Sequence, residues 1–347
     1  MAGVTLNVAA ALLPVLLFLA LLVLLDSFKL LSLRSVLLAL TAGAAAALLG
    51  ARLNVALLDA SGLSTTAYSR YAAPLVEELL KAVWFVVLLR RGRVGFLVDA
   101  AILGFAIGAG FALVENVEYL RAMAEPRVLL WLVRGFGTAL LHGATTAILA
   151  MIAKSLIDRR PLPPALAVVA GLLAAAAIHS AYNHFFLPPV AAAAVLLVAV
   201  PLLVVFVFDR SERATREWLG TGIDSDLEIV ESIVTGRFLE TRLGGYLRSL
   251  QARFPGEVVA DMLCLVRLQA ELSIRAKGLL LAREAGLDAP VGEDVRASLQ
   301  ELRYLETSMG PTGRLALKPL FRERARAAWQ VFLLEEAGGS ASRASAR

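Results

Sequence analysis

The apolar residues of this chain are not spread along it but collect in residues 1–208, in runs such as Ala9–Leu25 and Val190–Phe208. A helix that crosses a bilayer needs about 20 mostly apolar residues. Seven stretches meet that length, at roughly 8–25, 31–50, 71–89, 96–120, 128–153, 163–186 and 190–208. Polar or proline-containing breaks separate them, as at Arg90-Arg91-Gly92-Arg93, Asp158-Arg159-Arg160-Pro161 and Leu187-Pro188-Pro189. The boundary after the second stretch is blurred, because 52–70 is only weakly polar, and a re-entrant or interfacial piece fits there. The expected fold is all-α: a polytopic membrane bundle of about seven spans followed by a helical domain.

Composition sets the division. Hydrophobic residues make up 59% of the 347, more than the half usual for a soluble domain. Residues 209–347 are charge-rich and balanced, with 20 Lys+Arg against 20 Asp+Glu, so the first 208, with 14 against 9, carry the whole net charge of +5. The domains expected are 1–208 in the membrane, 209–337 as a helical domain and 338–347 as a disordered tail. The basic excess sits in short loops and follows the positive-inside rule, and no basic, aromatic-laced motif suggests nucleic acid. Lys29 and Arg34, the Arg90–Arg93 loop, the Lys154–Arg160 loop and Arg210–Arg216 all fall on one side of a seven-span chain. The expected topology therefore has the N-terminus outside and the C-terminal domain in the cytoplasm, in contact with membrane lipid and open to a cytoplasmic protein partner.

Two features read as packing. The single cysteine, Cys264, excludes an intramolecular disulfide and a Cys-based metal site, and its apolar helical surroundings predict burial. Gly104-x-x-x-Gly108 and Gly110 in the fourth span predict close helix approach. The N-terminal run lacks a basic n-region and a cleavage site, and reads as the first span. In the C-terminal half, Phe254-Pro255-Gly256, Gly286–Gly292 and Gly310-Pro311 break up a helical pattern that bears no catalytic motif.

Ionisable side chains inside spans are costly and face the protein interior, so their positions carry information. Span three holds Glu77, Glu78 and Lys81, span four Glu115 and Asn116, span five His142, and span six His179 and Asn183. Glu77 and Lys81 are i,i+4 and predict an ion pair, and Glu78 points about 100° away. His179 and Asn183 share one face of span six, and Thr138 and Thr146 flank His142 at i−4 and i+4. With the expected orientation these groups meet in the outer half of the membrane, His142 being the deepest. Such a pocket allows a glutamate to act as general base on water with a histidine polarising the carbonyl. It equally allows a zinc site of two histidines and one glutamate, with His142, His179 and Glu115 as the set and Zn2+ as the ion. Both routes hydrolyse a peptide bond. Glu118, beside Arg121, and His184, beside Phe185 and Phe186, read as interfacial, and Asp99 and Arg134 as snorkelling or packing residues near span ends.

The strings Glu77-Glu78-x-x-Lys81, Phe111-Ala112-x-x-Glu115-Asn116, the isolated His142 and His179-x-x-x-Asn183, in this order, resemble those of the PrsW-type intramembrane proteases. These belong with the CAAX prenyl endopeptidases and the bacteriocin-immunity proteases. The resemblance covers roughly residues 70–190, and Tyr304-Leu305-Glu306-x-x-x-Gly310 resembles extensions on some PrsW-type chains. It implies a site-one protease of the bacterial plasma membrane that cuts a membrane-anchored anti-sigma factor on its extracytoplasmic side. It further implies that Glu77 and Glu78 hold and activate the water and that His142 assists. His179 and Asn183 would stabilise the oxyanion, with Lys81, Glu115 and Asn116 supporting. The resemblance leaves a metal and a glutamate-activated water both open. The long tail departs from a minimal member. A proton- or cation-coupled transporter using the cluster as a relay, or a signalling scaffold, are the alternatives from other classes, and no internal helix repeat supports the transporter.

Overall fold

The computed structural model describes residues 2–123, 127–160, 162–287, 293–317 and 324–344. Among them every regular element is helical. The chain divides into two compact units, residues 1–27 with 31–211, and residues 28–30 with 212–347.

The first unit is the membrane bundle. Its elements are α1 (Ala2–Leu24), α2 (Leu33–Ser61), α3 (Thr65–Ala67), a π-helical turn (Tyr68–Ala72), α4 (Ala73–Arg90), α5 (Leu97–Ala122), α6 (Val128–Val133), a second π turn (Arg134–Thr138), α7 (Ala139–Arg159), α8 (Pro164–Asn183) and the start of α9 (Pro189–Val234). Local chemistry sets their ends. The hydroxyl of Ser32 accepts from Ser35 N–H to cap α2, and Gly62, at φ 67°, closes it. Asp99 caps α5 by accepting from the backbone N–H of Gly95 and Phe96 at 2.7 and 3.0 Å. Prolines open α8 and α9, where a missing N–H costs nothing.

Among the described residues six helices are long and apolar enough to cross a membrane. The seventh expected span is α4, which carries Glu77, Glu78, Lys81 and Arg90 within its 18 residues and packs against α2 and α8. The blurred stretch after the second span is mostly helix. α2 runs on to Ser61, because its charged residues there lie on an exposed face and do not interrupt the backbone. Apolar side chains such as Leu17, Leu24, Leu202 and Phe206 stay exposed on the outside of the bundle, as lipid-facing residues do.

α5 is the centre, with every residue from Val98 to Ala112 buried. Small residues let its neighbours approach. A Cβ on Gly110 would lie 1.9 Å from the carbonyl oxygen of Leu40, and one on Gly43 of α2 would lie 1.8 Å from that of Ile107. A Cβ on Gly108 would meet the carbonyl oxygen of His142 at 2.1 Å, so the glycine lets α7 seat against α5 at His142. The packing reading of Gly104, Gly108 and Gly110 therefore holds.

The second unit comprises residues 28–30, the rest of α9, a 3-10 turn (Arg237–Glu240), α10 (Arg242–Leu250), α11 (Gly256–Glu284), α12 (Glu293–Ser308), α13 (Gly310–Leu317) and α14 (Arg324–Ala344). Met262, Leu280, Leu302, Trp329 and Leu333 are among its buried core residues. Buried Lys277 pairs with Asp226 at 2.6 Å and lies 4.9 Å from the ring of Trp218. Cys264 is exposed, contrary to expectation. It falls on the outward stripe of α11 with Arg267 and Arg275, where the three- and four-residue spacing leads away from the core. Helix α14 covers residues 338–344 of the stretch expected to be a disordered tail, and 345–347 lie outside the described residues.

Candidate active site

Two adjacent glutamates on α4 diverge, as the 100° step of a helix requires. Glu78 and Lys81 are fully buried, and Lys81 Nζ donates to Glu78 Oε1 at 2.6 Å. The i,i+4 pair expected between Glu77 and Lys81 is replaced by this i,i+3 pair. Glu77 is drawn the other way, because Asn54 Nδ2 of α2 donates to its Oε1 at 3.1 Å. Glu78 Oε1 also accepts from Thr145 Oγ1 of α7 and meets His179 Nδ1 of α8, each at 3.0 Å. Three partners on three helices thus converge on one carboxylate oxygen, while its Oε2 is buried with no hydrogen-bond partner.

His142 sits at the middle of the cluster rather than at its edge. Its Nδ1 is 3.1 Å from Lys81 Nζ and its Nε2 is 2.9 Å from Glu115 Oε2. An ammonium donates only, so Nδ1 accepts from Lys81 and Nε2 carries the proton toward Glu115. The rings of His142 and His179 stand edge to face with centroids 4.8 Å apart, and Phe111 lies 5.1 Å from His142. The hydroxyl of Thr146 donates to the His142 carbonyl at 2.9 Å. The second π turn directly precedes α7 and so sets the face on which His142 arrives.

The same reasoning fixes His179. Its Nδ1 faces the carboxylate of Glu78, which only accepts, so Nδ1 carries the proton and Nε2 presents a lone pair. That Nε2 stands 3.9 Å from Glu77 Oε2.

The structure brings Glu77, Glu78, Lys81, Glu115, His142 and His179 together and leaves two expected residues beside the cluster. Asn183 Nδ2 donates to the carbonyl of Ser69 at 3.0 Å, on the first π turn. Asn116 Nδ2 donates to the carbonyl of Ala11 at 2.8 Å, and its Oδ1 accepts from Arg134 Nε at 3.0 Å. Arg134 is no snorkelling residue. It is largely buried, its NH2 is 3.6 Å from Glu115 Oε2, and its guanidinium lies 3.6 Å from the Tyr119 ring centroid. Asp99 is fully buried as a helix cap. His184 is half-buried, hydrogen-bonded to the Ser180 carbonyl and stacked on Phe186. Arg134 was visible in the sequence as a charge inside an apolar run; Asn54, Tyr68 and Thr145, being uncharged, were not.

Glu77, His142 and His179 each offer a ligand atom, all within 4.8 Å of one another. The carboxylate that completes this group is Glu77, not Glu115 of the expected zinc set, which is hydrogen-bonded to His142 Nε2. Two imidazoles and one carboxylate suit a catalytic zinc ion with an open position, His142 then giving its Nδ1 lone pair in exchange for the hydrogen bond from Lys81. The fit extends outward, since Glu78 orients His179 as a carboxylate behind a metal-binding histidine does.

Carboxylates and imidazoles from four helices thus meet inside a bundle of apolar, membrane-spanning helices, which makes this a membrane protein with a polar site in its interior. The model of the PrsW family, described as PrsW family intramembrane metalloprotease, matches residues 29–208, just over half of the chain, and the chain belongs to that family. No curated protein and no solved structure is matched significantly. The family makes the protein an intramembrane protease, with a membrane protein as its class of substrate.

Proposed function

We propose that the protein hydrolyses a peptide bond of a membrane-anchored protein at Glu77, His142 and His179. The gap between Glu77 Oε2 and His179 Nε2 carries this reading. At 3.9 Å it is too long for a direct hydrogen bond and suits an intervening water oxygen. The same two atoms, with His142, would be the ones to hold a divalent ion. Glu77 Oε2 takes a proton from the water as its oxygen bonds to the scissile carbonyl carbon. The proton then passes to the amide nitrogen as the C–N bond breaks. Glu78 keeps the His179 lone pair aimed at the gap, and Lys81 offsets the negative charge of Glu78. Glu115 accepts from His142 Nε2 and turns that ring toward the same space. Glu77, His142 and His179 would hold a divalent ion, Zn2+ by the donor set, which would supply Lewis acidity toward the carbonyl, Glu77 then serving as ligand in place of base. Asn183, engaged with the Ser69 carbonyl, acts in this reading by positioning.

The substrate class deepens to a single-span protein cut on its extracytoplasmic side, an anti-sigma factor of the bacterial plasma membrane. Topology supports it, since Asn54, Glu77, Glu115, His179 and Asn183 all lie toward the ends of their helices expected outside. Residues 28–30 share a compact unit with 212–347, which supports a first loop and a C-terminal unit on one, cytoplasmic, side. The C-terminal unit, residues 28–30 with 212–347, is then placed to meet a cytoplasmic protein. The test is metal content of the purified protein together with cleavage of a co-reconstituted single-span substrate. Stoichiometric zinc, cleavage lost on chelation and restored by zinc, and loss of cleavage in folded Glu77→Gln and His179→Ala support the proposal. Cleavage retained in both variants removes it.

A further inference from the structure

We infer that Tyr68 and Asn54 form a hydrogen-bond relay that aims Glu77, and that Ser180 and Asn183 hold the π turn on which the relay stands. This rests on Glu77 belonging to the site proposed above. The relay is a chain of two bonds with one direction. The Tyr68 hydroxyl donates to Asn54 Oδ1 at 3.0 Å, and Asn54 Nδ2 donates to Glu77 Oε1 at 3.1 Å. An amide on its own can turn either end to a carboxylate, and its oxygen end would repel. The phenol, a donor here, settles the matter by occupying the oxygen end. Glu77 Oε1 is thereby held, and Oε2 is left for the gap facing His179.

Tyr68 owes its place to Pro74. In an α-helix the N–H of residue 74 would donate to the Arg70 carbonyl, and proline has none. The backbone widens to a π turn from Tyr68 to Ala72, in which Ala73 N–H donates to the Tyr68 carbonyl five residues back. The Ser69 carbonyl thus loses its α-helical donor, Ala73, and its π-helical donor would again be Pro74. Inside a membrane such orphaned carbonyls need side-chain partners. α8 supplies both: Ser180 Oγ donates to the Arg70 carbonyl at 2.6 Å and Asn183 Nδ2 to the Ser69 carbonyl at 3.0 Å. His179, on the same helix, is therefore tied to the turn that carries Tyr68. Two ends of the 3.9 Å gap are set by one local backbone device. π turns of this kind recur at functional sites.

The test is a double-mutant cycle in the full-length protein in lipid nanodiscs. Tyr68→Phe, Asn54→Ala and the pair are compared by zinc affinity, read by competition with a chromogenic chelator, and by kcat and KM on a single-span substrate. Each single variant is expected to weaken zinc binding about 10–100-fold, as loss of an outer partner of a ligand does, and to lower kcat with little change in KM. The pair is expected to be no worse than Asn54→Ala alone, because the phenol acts only through the amide. Tyr68→Phe keeps the ring and so keeps the fold. Wild-type affinity and kcat in the single variants overturn the relay while leaving the site intact, as does a Tyr68→Phe effect undiminished in the Asn54→Ala background. If the wild type cleaves without zinc, the same cycle on kcat decides. A wild type that neither binds zinc nor cleaves overturns the proposed function and the relay with it.

Discussion

Lys81 shows what a single side chain must satisfy in this bundle. It is fully buried, 2.6 Å from Glu78 Oε1, 3.1 Å from His142 Nδ1 and 4.7 Å from the centre of the Phe111 ring. Removing one partner of a buried pair leaves the other charge uncompensated, at a cost of about 3–5 kcal/mol. Lys81→Met is therefore expected to destabilise the detergent-solubilised protein by that order, measured by thermal or denaturant unfolding. Adding Glu78→Gln should return much of the loss, because the stranded charge goes with it. A Lys81→Met protein as stable as the wild type would contradict the pairing. Arg134 gives a second residue-scale expectation. It meets Asn116 and Glu115 with one planar group and stacks on Tyr119, which an ammonium cannot reproduce. Arg134→Lys should lower cleavage nearly as far as Arg134→Ala, about tenfold or more by the scale of outer-partner losses. Full activity in the lysine variant would reduce Arg134 to a counter-charge. At this scale the sequence showed the ionised members, since charge inside an apolar run is conspicuous. It paired Lys81 with the wrong glutamate, because i,i+3 and i,i+4 are both allowed, and Asn54, 23 residues upstream of Glu77, breaks the tie in favour of Glu78.

Helices here were legible by their apolar lengths, and their glycines by spacing. What could not be read is register. Pro74 predicts a boundary or a kink, and the structure answers with a π turn that shifts the faces on either side of it. Likewise α2 outruns its most apolar stretch by a further turn and more, and that extension carries Asn54 to Glu77. The helix crossings themselves yield a test. Added Cβ atoms at Gly43 and Gly110 would lie within 2 Å of backbone carbonyls, which cannot move aside as a flexible side chain can. Gly43→Val and Gly110→Val are expected to fail to accumulate as folded protein, measured by size-exclusion of the solubilised membrane fraction. Gly220, in the continuation of α9, meets nothing within 4 Å. Gly220→Ala should be tolerated and stabilise by up to about 1 kcal/mol, since only helix propensity changes. Equal tolerance at all three positions would mean that α2 and α5 do not approach as described.

For the whole molecule, the compartment of each unit decides which bonds the site can reach, and the chain carries its own probe of that. Cys264 is the one cysteine in the sequence and is exposed on α11. If residues 212–347 lie in the cytoplasm, a membrane-impermeant maleimide added to intact spheroplasts leaves Cys264 unmodified and labels it only after permeabilisation. In a Cys264→Ala background, a cysteine placed at exposed Leu63, in the connection after α2, should label without permeabilisation. The two results belong together, because α2 must bring the chain to the same side as the end of α8 for Asn54 and His179 to flank Glu77. Labelling of Cys264 in intact spheroplasts would leave the cluster chemically unchanged but turn its open end toward the cytoplasm. The substrate would then be a protein cut on its inner face, and an anti-sigma factor severed from outside would no longer fit.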